Sequence, residues 1–417
     1  MSADQPAQLV LPREAEWRRD FDVARATDAY LATVPATDRE RSDAYFEGGY
    51  WIEASGTLIA VLLAWLLLRV RFAARLRDWA ANRGRGPFLQ SLLVSAGVLL
   101  VLAILTLPWT LYVEYFREHQ YGMSNYSLAG YVGEWGINVA FSTAFGGLVI
   151  AGIYATIRRV RERWVYWATA VTGLFVLFVT LIEPVFIAPI FNDYRSLPPG
   201  EMRNSILTLA HETGIPADDV YWFDASKQTK RISANVAGLA GTTRIALNDN
   251  LMNGTTLPEI RAVMGHEMGH FKLNHGLWLT LAFTLAFGFG YWVIHRVFGR
   301  FQRRHRDHWN VRDLADPAGL PLAFAIFVVV MYLLTPLTNS IVRTAESQAD
   351  AFGLDAAKEP HGFASISMRL SAYRKLDPTP IEEVIFYDHP SGRARVSRAM
   401  NWLADHPPET FPRAANQ

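Results

Sequence analysis

Six long apolar runs, separated by polar and Arg-rich connections, set the pattern of the chain. They are about Ser55–Leu68, Leu89–Val113, Trp135–Ile157, Trp164–Phe191, Leu277–Phe298 and Leu320–Val342. Each is near the ~20 residues that an α-helix needs to cross a bilayer. The first is the shortest and spans with Tyr50, Trp51 and the flanking arginines at the interfaces. A soluble core can hide one such run but not six, so the chain reads as a polytopic, mainly α-helical membrane protein. Between the fourth and fifth runs the pattern turns soluble. Glu201–Thr213 carries Met202, Ile206, Leu209 and Ala210 at helical spacing. Three β-prone pieces follow, Val220–Phe223, Ile232–Leu239 and Arg244–Leu247, separated by Gly238 and by Gly241-Thr242-Thr243. Thr256-Leu257-Pro258-Glu259 then has the form of a capping box. It starts a helix with an apolar side of Leu257, Ile260, Val263, Met264, Met268 and Phe271. Residues 1–50 read as a polar tail packing on the main body, helix-compatible over Glu14–Leu31 and interrupted at Pro35 and Glu47-Gly48-Gly49. Its start, Met1-Ser2-Ala3-Asp4-Gln5, has no apolar segment behind a basic stretch and is no cleavable signal peptide. The expected organisation is a tail (1–50), a four-span region (51–191), an α/β insertion (192–275), a two-span hairpin (276–342) and a C-terminal part (343–417).

Within the capped helix lies Met264-Gly265-His266-Glu267-Met268-Gly269-His270. On a helix, His266 and His270 stand one turn apart on one face, so both imidazoles can meet one metal ion. Glu267 projects beside them, where it can take a proton from a water molecule held there. A His-Glu-x-x-His match arises by chance in on the order of one chain in a hundred, so the motif needs partners. A catalytic zinc site takes one more protein ligand and keeps a position open. Downstream of the last run, Glu346 and Asp350 share a helix face. Such a pair is usually a solvated face; placed after a His-Glu-x-x-His helix, Glu346 can ligate and Asp350 can hold an imidazole N–H. His211-Glu212 is a decoy, because Ile215 stands where the second histidine belongs. His275 lies about 140° from His270 around a helix and is rejected as a ligand.

Composition narrows the chemistry further. Among 417 residues there is no cysteine, so a metal must be held by histidine and carboxylate, and no thiol nucleophile exists. A net charge of +1 gives no field for nucleic acid. The arginines cluster in three loops: Arg69, Arg71, Arg75, Arg77, Arg83 and Arg85; Arg158, Arg159, Arg161 and Arg163; Arg300, Arg303, Arg304, Arg306 and Arg312. With six spans these loops share one side, whereas Glu114–Glu134 carries only Arg117. The positive-inside rule makes the Arg-rich side cytoplasmic and the motif side extracytoplasmic.

The order of spans, His-Glu-x-x-His, two spans and Glu346-Ser347-Gln348-Ala349-Asp350-Ala351-Phe352 resembles the type I CAAX prenyl endopeptidases, the a-factor-converting membrane zinc metalloproteases. So do Leu107-Pro108-Trp109-Thr110-Leu111-Tyr112, Glu118-His119-Gln120-Tyr121-Gly122-Met123-Ser124-Asn125, the stretch Gly265–His275, and Asp388-His389-Pro390-Ser391 with Arg395. The likeness runs from about residue 40 to 402. It implies a gluzincin-like domain with one Zn2+ on His266, His270 and Glu346, and Glu267 as general base. It also implies Asp350 as the partner of a ligand histidine, His389 as a donor to the tetrahedral intermediate and Arg395 as a support of the cleft. Three departures stand out. The family's first span has no counterpart. Its Asn-Ala-aromatic substrate strand is replaced by Ser233-Ala234-Asn235. Eukaryotic members place the site in the cytosol, against the arginine count here. The Arg-rich, cysteine-free composition is that of a bacterial member, which places the chain in the cytoplasmic (inner) membrane. The expected activity is hydrolysis of peptide or membrane-associated protein substrates. A quality-control protease with the same site is the nearest alternative, and a non-proteolytic zinc sensor the more distant one. Arg261, Lys272 and Asn274 flank the motif and argue against a site inside the bilayer.

Overall fold

The computed structural model describes residues 8–238 and 243–408. The extreme N-terminus, Leu239 of the second β-prone piece and Gly241-Thr242 of the turn after it lie outside these residues. Among the described residues, five helical stretches are long and apolar enough to cross a membrane: Ala36–Arg69, Pro87–Gln120, Leu128–Ile182, His275–Trp309 and Pro317–Ala357. The third holds two of the expected runs. It breaks at Arg161, where φ is 43°, and Gly147–Val160 folds back along Trp164–Ile182. All six runs are therefore helical. They turn Leu174, Leu285 and Leu333 outward, as lipid-facing helices do, and pack Val94, Val98, Tyr154, Trp164 and Phe298 inward.

The first helix departs from expectation. Gly48 and Gly49 do not interrupt it; Ala36–Arg69 runs through them unbroken. A Cβ at Gly48 would lie 3.2 Å from Arg117 Nη2, and that guanidinium bonds the Tyr45 carbonyl, so the glycine makes room for the arginine. The preceding segment packs on the body as expected: Tyr30 and Leu31 are buried with Phe363, Val396 and Met400.

The three Arg-rich loops meet at one end of the bundle. Arg71 donates to the Asp307 and His308 carbonyls at 2.7 and 2.8 Å, Arg77 pairs with buried Asp316, and Arg158 reaches Ser91 Oγ at 2.9 Å. The loop before Leu128 sits at the other end, where Asn125 Nδ2 donates to the Ser226 carbonyl at 2.8 Å.

At that end lies a four-stranded sheet of order β1-β2-β4-β3, with β1 Tyr194–Ser196, β2 Val220–Phe223, β3 Ala234–Ala237 and β4 Arg244–Asn248. β2 and β4 are parallel; β1 and β3 run antiparallel to their neighbours. Three residues show no alternation, so β1 escaped sequence reading. The expected strand Ile232–Leu239 shortens because Asn248 caps its start, donating its N–H to the Ser233 carbonyl and taking the Ser233 N–H on Oδ1. The sheet packs through Val220, Ile245 and Leu247 on Ile260, Met264 and Met268 of the motif helix, Leu257–Lys272.

The last membrane helix does not stop at the bilayer. Leu320–Ala357 is one helix of 38 residues, about 57 Å long at 1.5 Å per residue. Its outer part lies against the motif helix with hardly any side chain between. A Cβ on Gly269 would be 3.0 Å from Ala349 Cα, one on Gly265 2.9 Å from the Gly353 carbonyl oxygen, and one on Gly353 2.7 Å from the His266 nitrogen. Backbone atoms cannot yield as a side-chain tip can. Gly353→Ala is therefore expected to destabilise the protein by about 1–3 kcal/mol through overpacking, read as a lowered Tm in detergent. A wild-type melting curve would show that the two helices separate at no cost.

Candidate active site

The motif helix starts where the sequence predicts. Glu259 accepts from the Thr256 N–H at 2.7 Å and its hydroxyl at 2.9 Å, and from Ser365 Oγ and Arg369 Nε at 2.7 and 2.6 Å. With Met264 and Met268 held in the core, the opposite face presents His266, Glu267 and His270. The long helix brings Glu346 to the same point. His266 Nε2 is 3.0 Å from His270 Nε2 and 3.3 Å from Glu346 Oε2, while His270 Nε2 is 3.2 Å from Glu346 Oε1. Donors about 2.0–2.1 Å from a tetrahedral metal stand about 3.3–3.4 Å from one another. The two imidazole nitrogens and the two oxygens of the one carboxylate thus lie near the spacing of such a site, and the three residues form a group able to hold a metal ion.

The outer contacts orient these donors. Asp350 Oδ1, buried with no other partner, lies 2.8 Å from His266 Nδ1. Arg395 bridges the two carboxylates, with Nε 3.1 Å from Asp350 Oδ2 and Nη2 3.1 Å from Glu346 Oε2. Burial opposes charge on His266, yet the contacts to Asp350 and Glu346 push its pKa up to about 9. Burial likewise opposes ionisation of Glu346 and Asp350, and is outweighed: His266 and His270 hold the first far below the usual carboxylate range, Arg395 and His266 hold the second low. A field that favours a proton so strongly also favours a metal cation. His270 is braced from behind by His275. With Gln348 Oε1 accepting from His275 Nε2 at 3.1 Å, His275 Nδ1 accepts from His270 Nδ1 at 2.9 Å, leaving the His270 Nε2 lone pair facing the site. His275 is not among the converging donors. Its place behind His270 was not foreseen, because Asn274, with φ 54°, ends the motif helix and turns the chain before His275.

Above these donors opens a cleft of about 170 Å³. Glu267 lines it with no hydrogen bond or ion pair among the described residues, and burial raises its pKa. His389 reaches in, with Nε2 3.2 Å from Glu346 Oε2 and Nδ1 2.7 Å from Asp388 Oδ1; burial pushes its pKa down. Ile232, Ser233 and Ala234 also line it, as do Phe363, Ile366, Leu370, Tyr373 and Arg374. Asn235 does not line the cleft, and its Oδ1 is buried without a partner. His211 stays away, 3.2 Å from the Ala217 carbonyl.

Residues 196–408 match the profile of peptidase family M48, and residues 25–193 match that described as CAAX prenyl protease N-terminal, five membrane helices. The chain belongs to peptidase family M48. It is a multi-pass membrane metalloendopeptidase, similar to the metalloprotease YhfN of Bacillus subtilis (29% identity; 82% of this chain, 81% of YhfN). It also resembles CAAX prenyl protease 1 of Saccharomyces cerevisiae, at 26% identity over 72% of this chain and 70% of that protein. The crystal structure of S. mikatae Ste24p shares its fold, with a TM-score of 0.76 at 19% identity over 88% of this chain and 90% of that one.

M48 membership implies a metal, and the His266–His270–Glu346 donors fit one. Sequence reading missed His275 with Gln348, and Tyr373 with Arg374. Gln348, two residues from Glu346, belongs to another helix face by spacing, and the second pair sits in an unremarkable polar stretch. Outer partners of ligand histidines commonly change metal affinity 10–100-fold. Gln348→Leu is expected to weaken metal binding by about that factor, measured by titration in a metal buffer, with Tm little changed. An unaltered Kd would leave His275 and Gln348 as packing alone.

Proposed function

We propose that this M48 peptidase is a zinc endopeptidase that cuts extended peptides held at the membrane surface. One observation carries the reading: Glu267, with no hydrogen bond or ion pair among the described residues, lines one cleft with His266 and Glu346 of the converging donors and with Ala234 of the sheet's edge strand. His266, His270 and Glu346 would hold the zinc. When bound, zinc supplies Lewis acidity that makes water a nucleophile at neutral pH and polarises the scissile carbonyl. Glu267 takes the proton from the attacking water and passes it to the leaving amine. His389, whose Nδ1–H is given to Asp388, would donate from Nε2 to the forming oxyanion as the imidazolium, with both ring nitrogens protonated. Asp350 keeps the His266 proton on Nδ1, and Arg395 holds Asp350 and Glu346 in place. Antiparallel pairing spends the Ser233 and Asn235 main chain on β4, so Ala234 offers its N–H and C=O to a substrate strand. Ser233 anchors the strand, and Asn235 contributes through it.

Glu346 lies four residues beyond Val342, the end of the last apolar run, or about 6 Å along the helix. The cleft therefore suits segments close to the bilayer. The M48 relatives named CAAX prenyl proteases support a membrane-held substrate of this kind. With the arginine loops cytoplasmic, the cleft faces outward from a bacterial inner membrane.

Glu267→Gln should retain stoichiometric zinc while cleavage falls by about 10²–10⁴-fold, measured with purified protein and a peptide it cuts. Substantial residual hydrolysis would remove Glu267 as the base. Glu346→Ala should lose both metal and activity, and tight stoichiometric zinc in that variant would take Glu346 out of the ligand set. Because the chain has no cysteine, Ser226→Cys offers a single thiol at the catalytic end. Labelling of intact cells by a membrane-impermeant maleimide is expected; labelling only after lysis would place the cleft in the cytosol.

A further inference from the structure

The cleft contains one cation that the mechanism above does not use. Arg395 is committed to Glu346 and Asp350, at 3.1 Å each. Arg231, nearby, is 2.8 Å from Glu118 Oε2 and lies over the Tyr373 ring. Arg374 has no carboxylate within ion-pair distance and no side-chain hydrogen bond among the described residues; the Tyr373 ring lies 5.8 Å from it, and Asp388 and Glu346 act on it only at longer range. Asp388, the nearest acidic residue in sequence to the His389 side of the cleft, is taken up by His389 Nδ1 at 2.7 Å. Burial, with Arg395 adding to it, presses the Arg374 pKa down.

A partly buried guanidinium without an anion costs stability, because its lost hydration is not replaced. Its position shows what could replace it. Arg374 and Tyr373 line the same cleft as Glu267, as the apolar Phe363, Ile366 and Leu370, and as Ser233 and Ala234. A strand paired along Ala234 would therefore enter the cleft that Arg374 lines. The planar fork of an arginine matches a carboxylate bidentately.

We propose that Arg374 binds a carboxylate of the peptide substrate close to the scissile bond, and so selects peptides that carry one there. This rests on the reading of the cleft as a peptidase site. The carboxylate can be the chain's own C-terminus or an acidic side chain; both present the same planar anion. Arg374 acts on substrate binding and takes no part in proton transfer.

The test uses the full-length zinc-loaded protein and a fluorogenic peptide that the wild type cuts and Glu267→Gln does not. That peptide is made as C-terminal acid and amide, and with Glu or Gln at each of three positions on either side of the cut. Neutralising the recognised carboxylate is expected to lower wild-type kcat/KM about tenfold or more, mainly through KM. The amide arm identifies a C-terminal source and the Gln arms a side-chain source. Arg374→Gln should cleave charged and neutral forms alike, at the rate of the neutral form, and Arg374→Lys should keep part of the preference. Equal wild-type kcat/KM for all forms overturns the proposal, with no variant needed. So does an Arg374→Gln loss of the same factor on every peptide. Neither result touches the peptidase reading, which stands or falls with Glu267→Gln.

Discussion

The site depends on how closely two helix backbones approach. Helices with ordinary side chains between them pack 8–10 Å apart. The closer approach here brings a glutamate on one helix to two imidazoles on the other at 3.2 and 3.3 Å while its neighbours stay packed. Gly265 and Gly269 remove the spacer from the motif helix; Ala345, Ala349, Gly353 and Ala357 remove it from the long helix. Each helix therefore carries two stripes of period four, one residue out of step. Gly265 and Gly269 precede His266 and His270, just as Ala345 and Ala349 precede Glu346 and Asp350. One residue is about 100° of helix, so the small stripe makes the contact and the polar stripe faces the space beside it.

The membrane hairpin holds this contact in register. The motif helix is joined to the fifth span by Leu273 and Asn274 alone, and Glu346 lies on the uninterrupted continuation of the sixth. The two spans pack along each other inside the bundle. Sliding one past the other by a single residue would move Glu346 by about 1.5 Å relative to the histidines, enough to lose a ligand bond. The bilayer-embedded helices are thus the scaffold of a centre that lies outside the bilayer.

This division explains what could be read from the sequence. Apolar length marks spans, so all six runs are helices, and the capping box at Thr256 marks the start of the motif helix. The convergence of His266, His270 and Glu346 was legible because the two histidines announce a helix face and Glu346 shares one with Asp350. Contacts between elements distant in sequence were not legible. Gly48 reads as a breaker until Arg117 is seen beside it, and His275 reads as misplaced until the turn at Asn274 is known. Ser233, Ala234 and Asn235 looked equivalent in sequence; the register with β4 separates them, because alternate residues of an edge strand spend their main chain on the sheet.

Charge at the cleft ties these elements to the substrate. Arg395 comes from the last described helix, Gly392–Asp405, whose Val396, Ala399 and Met400 are buried against Ala26, Tyr30 and Phe363. The N-terminal segment thus fixes the cation that restrains Asp350 and Glu346. Among the groups lining the cleft, the carboxylates are Glu267, Glu346 and Asp350 and the cations are Arg374 and Arg395. A dication held by the three donors would, together with Arg395, balance the three carboxylates and leave Arg374 in excess among these lining groups, with Asp388 acting on it only at longer range. Low dielectric makes such a surplus costly in the free protein and favourable to any anion that enters. On the proposal above, the same guanidinium gains a direct partner when a peptide anion is in place, which couples binding of the correct strand to neutralisation of the site.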